Sequence, residues 1–181
     1  MLMRAEHATL LIIDLQERLV GALDRGADVV AHAAWLLGVA ARLDVPVLAT
    51  EQYPRGLGRT VAELAALIPP GATLEKLCFN AAAEPALPAR LTAGGRRQCV
   101  IAGAEAHVCV LQTALGLRAQ GFEVFLVAEA VGSRRVGDQA LALQRARDAG
   151  CGVVSREMVA FEWLERAGTD TFRAVSRDFI R

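Results

Sequence analysis

The chain repeatedly sets a short apolar run before a longer segment of helical spacing, and this alternation leaves few folds open to it. Thr9-Leu10-Leu11-Ile12-Ile13 is the first such run, and Asp14 closes it. A strand with no polar alternation has to be covered on both faces, which places it inside a parallel sheet with helices above and below. Comparable runs recur at Val47 to Thr50, Ala72 to Glu75, Gln98 to Ala102, Glu123 to Val127 and Gly152 to Ser155. Between them the spacing predicts helices over 15–23, 29–43, near 60–67, within 81–93, over 110–117 and over 137–149. In 29–43 the apolar positions are Val29, Val30, Ala33, Leu36, Leu37, Ala40 and Leu43; in 137–149, Ala140, Leu141, Leu143, Ala146 and Ala149 are read as inward-facing. Two amphipathic segments close the chain, the last starting from an N-cap at Thr169 or Asp170. The expected fold is a three-layer, Rossmann-like α/β domain: a mostly parallel six-stranded sheet with right-handed crossovers and helices on both faces. At 181 residues, one domain spanning 1–181 is expected.

Charge narrows the partners. The chain carries 20 basic and 20 acidic residues and is 54% hydrophobic, which argues against disorder and against a nucleic-acid-binding surface. A small-molecule substrate fits better. No apolar run reaches the roughly 20 residues of a membrane span, and the N-terminus shows no leader pattern, so a cytoplasmic, non-membrane protein is expected. The cysteines at 78, 99, 109 and 151 form no C-x-x-C pair and read as reduced thiols, with Cys99 and Cys151 in the core. The first strand is followed by no G-x-G-x-x-G, so a dinucleotide cofactor is not expected.

In open α/β sheets, ligands bind beyond the C-terminal strand ends. Asp14, Lys76 and Cys109 each fall just past the end of a different expected strand. Taken singly, each has an ordinary explanation. Asp14 would serve as an N-cap for 15–23, Lys76 as a solvated strand-end charge, and Cys109 as a small buried hydrophobe. Together on one rim they form a coherent set: a thiol, a carboxylate to accept its proton and a cation to orient that carboxylate. Cys109 falls in a helix's first turn, where the dipole is expected to lower the thiol pKa. His107, two residues earlier, does not share its helix face, so a Cys–His pair is not expected. The stretch Glu51 to Gly58 reads as a surface loop over the strand ends.

The combination resembles the isochorismatase-like cysteine hydrolases, the superfamily of nicotinamidases and related amidases. The matching residues are Asp14-Leu15-Gln16, Lys76 with Phe79, Gly103 to Val110, Ser133-Arg134 followed by Asp138, and Phe161-Glu162-Trp163-Leu164 with Phe172. The stretch Thr50 to Pro54, with Gly56-Leu57-Gly58, is similar to that of a subgroup of small members. The resemblance implies that Cys109 is the nucleophile, Asp14 the general base and Lys76 the cation between them. It further implies a cis peptide at Ala104-Glu105 and an oxyanion hole made by the N–H groups of Glu105 and Cys109. Gln16, Leu19, Tyr53 and His107 are the candidates for substrate contact. Metal-binding relatives carry Asp-x-His after the second strand, where this chain has Glu51-Gln52-Tyr53, so no metal and no other cofactor is expected. True isochorismatases lack the nucleophilic cysteine that is present here. The resulting expectation is a metal-independent cysteine hydrolase, an amidase acting through a thioacyl intermediate, in a homo-oligomer. Two rivals stand beside it: a non-catalytic oligomeric binding or scaffold protein of the same fold, and a thiol redox sensor with Cys78 as resolving cysteine.

Overall fold

The computed structural model describes residues 1–180. Its strands are β1 (Ala8–Ile13), β2 (Val47–Gln52), β3 (Thr73–Lys76), β4 (Gln98–Ala104), β5 (Glu123–Gly132) and β6 (Gly152–Val154). They form one sheet of order β3-β2-β1-β4-β5-β6, every neighbouring pair parallel. The chain builds outward from β1 through β2 to β3, then returns to the other side of β1 with β4. That reversal between β1 and β4 is the topological switch point, where the loops diverge and leave a crevice.

The helices are α1 (Glu17–Val20), α2 (Gly26–Arg42), α3 (Pro54–Leu57), α4 (Ala62–Ala65), α5 (Ala86–Ala93), α6 (Leu111–Ala119), α7 (Val136–Asp148), α8 (Arg156–Leu164) and α9 (Asp170–Val175). Because strand side chains alternate between faces, β1 contributes Leu10 and Ile12 to one core and Leu11 and Ile13 to the other. The first core holds α2, α8 and α9 through Leu36, Val159, Trp163 and Val175. The second holds α5, α6 and α7 through Leu91, Leu117 and Ala146, and includes Cys99 and Cys151 as expected.

Several boundaries differ from the sequence reading for local reasons. The helix expected over 15–23 is the single turn α1, because Gln16 remains extended and bridges Thr60 in antiparallel fashion. Asp14 therefore caps no helix; its backbone is left-handed at φ 51°. The same bridge at Thr60 delays α4 to Ala62. The 81–93 segment divides into a 3-10 turn, Ala81–Ala83, and α5, with Pro85 at the break. On α7 the buried residues are Ala142 and Ala146, with Leu143 packed at their edge, whereas Ala140, Leu141 and Ala149 are exposed. Ser155 is the N-cap of α8, accepting from the Met158 N–H at 3.2 Å, and Thr169 caps α9, accepting from Phe172 at 3.0 Å.

Gly103 is the tightest point between β1 and β4. It lies opposite Ile13 in the ladder with φ +138°, and a Cβ there would fall 2.1 Å from the Ile13 carbonyl oxygen. Backbone cannot yield as a side-chain tip can. Gly103→Ala is therefore expected to destabilise the fold by about 3 kcal/mol or more through strain and overpacking, read as a lowered denaturation midpoint in urea. A midpoint unchanged from wild type would show that the two strands are not held this closely.

Candidate active site

Three strands deliver the polar centre. Asp14 leaves β1 fully buried, its N–H donating to the Thr50 carbonyl at 3.1 Å. Its Oδ1 accepts from the Thr50 hydroxyl at 2.7 Å, and its Oδ2 lies 2.7 Å from the Lys76 ammonium. That second contact is close but poorly aligned, so Oδ2 has no well-directed hydrogen-bond donor. Lys76, the last residue of edge strand β3, is 3% exposed; its stem reaches back past β2. Its Nζ also donates to Gln52 Oε1 at 2.5 Å and, at longer range, to the carbonyls of Cys78 and Phe79 at 3.3 and 3.5 Å. Thr50 and Gln52 are two apart on β2, so alternation places both on the face that meets Asp14 and Lys76. Lys76 is a buried cation rather than a solvated strand-end charge.

Cys109 arrives from the other side of the switch point. It sits in a π-helical turn, Ala106–Val110, that runs directly into α6, and it is 6% exposed. Burial and the Asp14 carboxylate push its thiol up to about 12, against the opposing pull of Lys76. This reverses the expectation of a lowered pKa from helix position. Desolvation of a buried anion and repulsion from an adjacent carboxylate outweigh the helix end. The resting site thus holds a neutral thiol beside a buried carboxylate and an ammonium.

The backbone before the cysteine has the expected form, with a cis peptide at Ala104-Glu105. Two contacts tie this turn to the loop after β5. Glu105 Oε1 accepts from the Arg134 backbone N–H at 3.2 Å and from its Nε at 2.9 Å. His107 Nδ1 pairs with the Ser133 hydroxyl at 2.9 Å, and its Nε2 is 4.0 Å from Asp138.

The four candidates for substrate contact separate in the structure. Gln16 is fully buried and donates to the carbonyls of Gln52 and Gly58 at 3.0 and 2.8 Å, while its oxygen accepts from the Gln52 N–H at 2.7 Å. It clamps the rim loop. Leu19 packs against the first core, and His107 is engaged by Ser133. Tyr53 is half exposed and borders a cleft of about 390 Å³ with Pro54, Lys76 and Leu77. Glu51, on the opposite face of β2, accepts from the Thr60 N–H and hydroxyl at 2.7 and 2.8 Å and pairs with Arg59 at 2.8 Å. Burial opposes its charge, but the Thr60 donors and the Arg59 guanidinium prevail and hold its carboxyl below the ordinary range. Among the described residues, no three His, Cys, Asp or Glu side chains gather as a metal site. The sequence reading assigned no role to Thr50 or Gln52. Their signal is a pair of polar residues two apart, on one face, at the end of a strand that opens with Val47-Leu48-Ala49.

The isochorismatase domain model matches residues 8–158, a span that contains Asp14, Lys76 and Cys109. The chain belongs to the isochorismatase family. It is 37% identical over 174 residues to the mouse isochorismatase domain-containing protein 2A, covering 95% of this chain and 82% of that protein. Among solved structures, a Caenorhabditis elegans protein described as the MAR1 ribonuclease shares the fold with a TM-score of 0.90 at 28% identity, covering 98% of this chain and 91% of that one. An Escherichia coli protein described as an octameric hydrolase of unknown specificity superposes with a TM-score of 0.88 at 23% identity, covering 99% and 91%. Family membership makes this chain an isochorismatase-like hydrolase.

The opposing effects on the Cys109 thiol have a testable sign. Asp14→Asn removes the carboxylate that raises the thiol's pKa and leaves Lys76, which lowers it. Alkylation of Cys109 by iodoacetamide at neutral pH, followed by peptide mass spectrometry, is expected to be faster in this variant than in wild type. An unchanged rate would show that Asp14 does not act on the sulfur, and a slower one that it acts there as a base more than as a repelling charge.

Proposed function

We propose that the protein is a metal-independent cysteine hydrolase that cleaves a small amide or related acyl compound through a thioacyl intermediate on Cys109. The observation that carries this reading is Asp14 Oδ2, a fully buried carboxylate oxygen without a well-directed donor, beside a neutral thiol. A thiol whose pKa is about 12 is a poor nucleophile unless a base takes its proton as it attacks.

The steps balance with these residues alone. Asp14 takes the thiol proton as sulfur adds to the substrate carbonyl, forming the C–S bond. The N–H groups of Glu105 and Cys109 are assigned to the oxyanion, where a well-placed donor contributes typically about 3 kcal/mol. As the tetrahedral adduct collapses, the C–N bond breaks and Asp14 returns its proton to the leaving amine. Water then adds to the thioacyl carbonyl, giving a proton to Asp14. The C–S bond breaks, the acid departs, and Asp14 reprotonates the sulfur. Lys76 holds Asp14 in place and balances negative charge. Tyr53 is the candidate for contact with substrate at the rim, while Gln16 holds the rim loop, Leu19 packs in the core and His107 pairs with Ser133.

This reading carries with it a small-molecule partner, no cofactor, a cytoplasmic location and a homo-oligomeric state. No helix of the described residues is long and apolar enough to cross a membrane. The octameric description of the E. coli neighbour supports the oligomer, which light scattering would read directly. A second reading comes from the C. elegans neighbour described as a ribonuclease. The balanced charge of this chain, 20 against 20, argues against it, because phosphate backbones are bound chiefly by excess Lys and Arg. The exposed Cys78 is the other half of the redox alternative.

A panel of small amides, esters and an RNA oligonucleotide, assayed with wild type and Cys109→Ala, tests all of these. Wild type is expected to cleave an amide or ester, with the variant slower by about a thousandfold or more. Hydrolysis that survives the substitution would rule out the thioacyl mechanism. RNA cleavage without amide or ester cleavage would favour the second reading, and a disulfide between Cys78 and Cys109 after peroxide, with no hydrolysis, would favour the redox sensor.

A further inference from the structure

The Lys76 ammonium is held by more than its ion pair. Four oxygens converge on Nζ: Asp14 Oδ2 at 2.7 Å, Gln52 Oε1 at 2.5 Å, and the carbonyls of Cys78 and Phe79 at 3.3 and 3.5 Å. An ammonium has three N–H donors and no acceptor, so its orientation is set by which oxygens are nearest. Asp14 and Gln52 are nearest, from different strands. The Gln52 amide cannot turn over, because its Nε2 donates to the Leu77 carbonyl at 2.8 Å. The flipped amide would set two donors face to face at Lys76 and two acceptors face to face at Leu77. Its backbone is held as firmly, with N–H and C=O both paired to the Gln16 amide. Gln16 in turn grips the Gly58 carbonyl, so the rim loop and Gln52 are fixed by one side chain.

We propose that Gln52 is a positioning residue for the reaction: its side-chain oxygen turns the Lys76 ammonium so that its N–H groups do not point at Asp14 Oδ2, 2.7 Å away, which leaves Oδ2 available to the Cys109 thiol. The proposal rests on the cysteine-hydrolase reading above. Without Gln52, the remaining neutral acceptors are two carbonyls at 3.3 Å and beyond. The ammonium is then free to turn an N–H directly onto the carboxylate. An aligned Asp14–Lys76 hydrogen bond makes Oδ2 a poorer proton acceptor and commits the cation to the carboxylate rather than to the developing thiolate. Both changes slow the chemical step without touching substrate binding.

The test uses Gln52→Met, which keeps the length of the side chain and removes the acceptor, and Gln52→Leu, which removes the acceptor with a shorter side chain. Each is treated with iodoacetamide at one alkaline pH, and alkylation is followed separately at Cys109, Cys99 and Cys151. A positioning role predicts that Cys109 alone slows, by about tenfold, the effect of one pKa unit on the thiolate fraction. The two core cysteines keep their wild-type rates. A merely structural role predicts the opposite pattern, faster alkylation at all three as the fold loosens. If Gln52→Met does not fold, Gln52→Leu, which also lacks the acceptor, supplies the same readout, with slower alkylation expected at Cys109 alone. On a substrate from the amide and ester panel, Gln52→Met is expected to lower kcat about tenfold with KM unchanged. Wild-type alkylation at Cys109, or wild-type kcat, overturns the proposal. If Cys109→Ala is inactive while Gln52→Met is fully active, the positioning role fails alone; if Cys109→Ala remains active, the hydrolase reading fails first.

Discussion

A buried ion pair between Asp14 and Lys76 is the interaction on which the rest of the site depends. Both side chains are almost wholly removed from water and their charged atoms are 2.7 Å apart. Such a pair gains little over apolar packing, since its attraction is spent against desolvation. Breaking it is another matter: a lone buried charge costs about 3–5 kcal/mol, a large share of the roughly 5–15 kcal/mol that keeps a typical domain folded. The pair therefore couples β1 to the edge strand β3 across β2. Thr50 and Gln52, placed by strand alternation on the intervening strand, satisfy one oxygen of the acid and one proton of the amine.

The thiol is brought to that pair by a different device. At the switch point the chain passes from β4 through a cis peptide and a single π turn into α6. Gly103 lets β4 approach β1 closely just before this turn. Glu105 and His107, on either side of the turn's start, are bound to Arg134 and Ser133 of the loop after β5. Acid and nucleophile thus follow adjacent strands, β1 and β4, and their separation is governed by sheet register together with the π turn that carries Cys109. A site built on strand ends is held more precisely than one built on loops.

Much of this was legible in the residues. Apolar runs such as Thr9 to Ile13 mark buried parallel strands, and six of them alternating with helical segments define the sheet. Asp14, Lys76 and Cys109 stand out because each follows such a run. What escaped the sequence depends on tertiary partners. A helix over 15–23 is reasonable by spacing, yet the bridge from Gln16 to Thr60 holds the chain extended and turns Asp14 from a cap into a buried acid. Ala140 and Leu141 look inward by periodicity, but α7 packs through Ala142 together with the expected Ala146. The direction of the Cys109 shift was missed because helix position is local information, while burial and the Asp14 charge come from residues far away in the chain. Gln52 falls in the Thr50–Pro54 stretch that resembles a subgroup of the family, but that resemblance gives it no role. Its importance appears only once Lys76 reaches it from the neighbouring strand.

Charge conservation within the buried cluster reconciles a thiol pushed up to about 12 with a nucleophilic role. At rest the carboxylate, the ammonium and the thiol sum to zero. Releasing the thiol proton to solvent would leave a net negative charge in a desolvated site, and that is the process the raised pKa describes. Moving the same proton from sulfur to Asp14 changes nothing in the sum: a thiolate, an ammonium and a carboxylic acid are again neutral overall. Desolvation penalises the second process far less than the first, because the negative charge only shifts between positions facing the same cation. A resting thiol that is inert toward solvent can therefore become nucleophilic when a substrate carbonyl is in place to accept the developing bond, provided that Lys76 stays where both anionic positions can reach it.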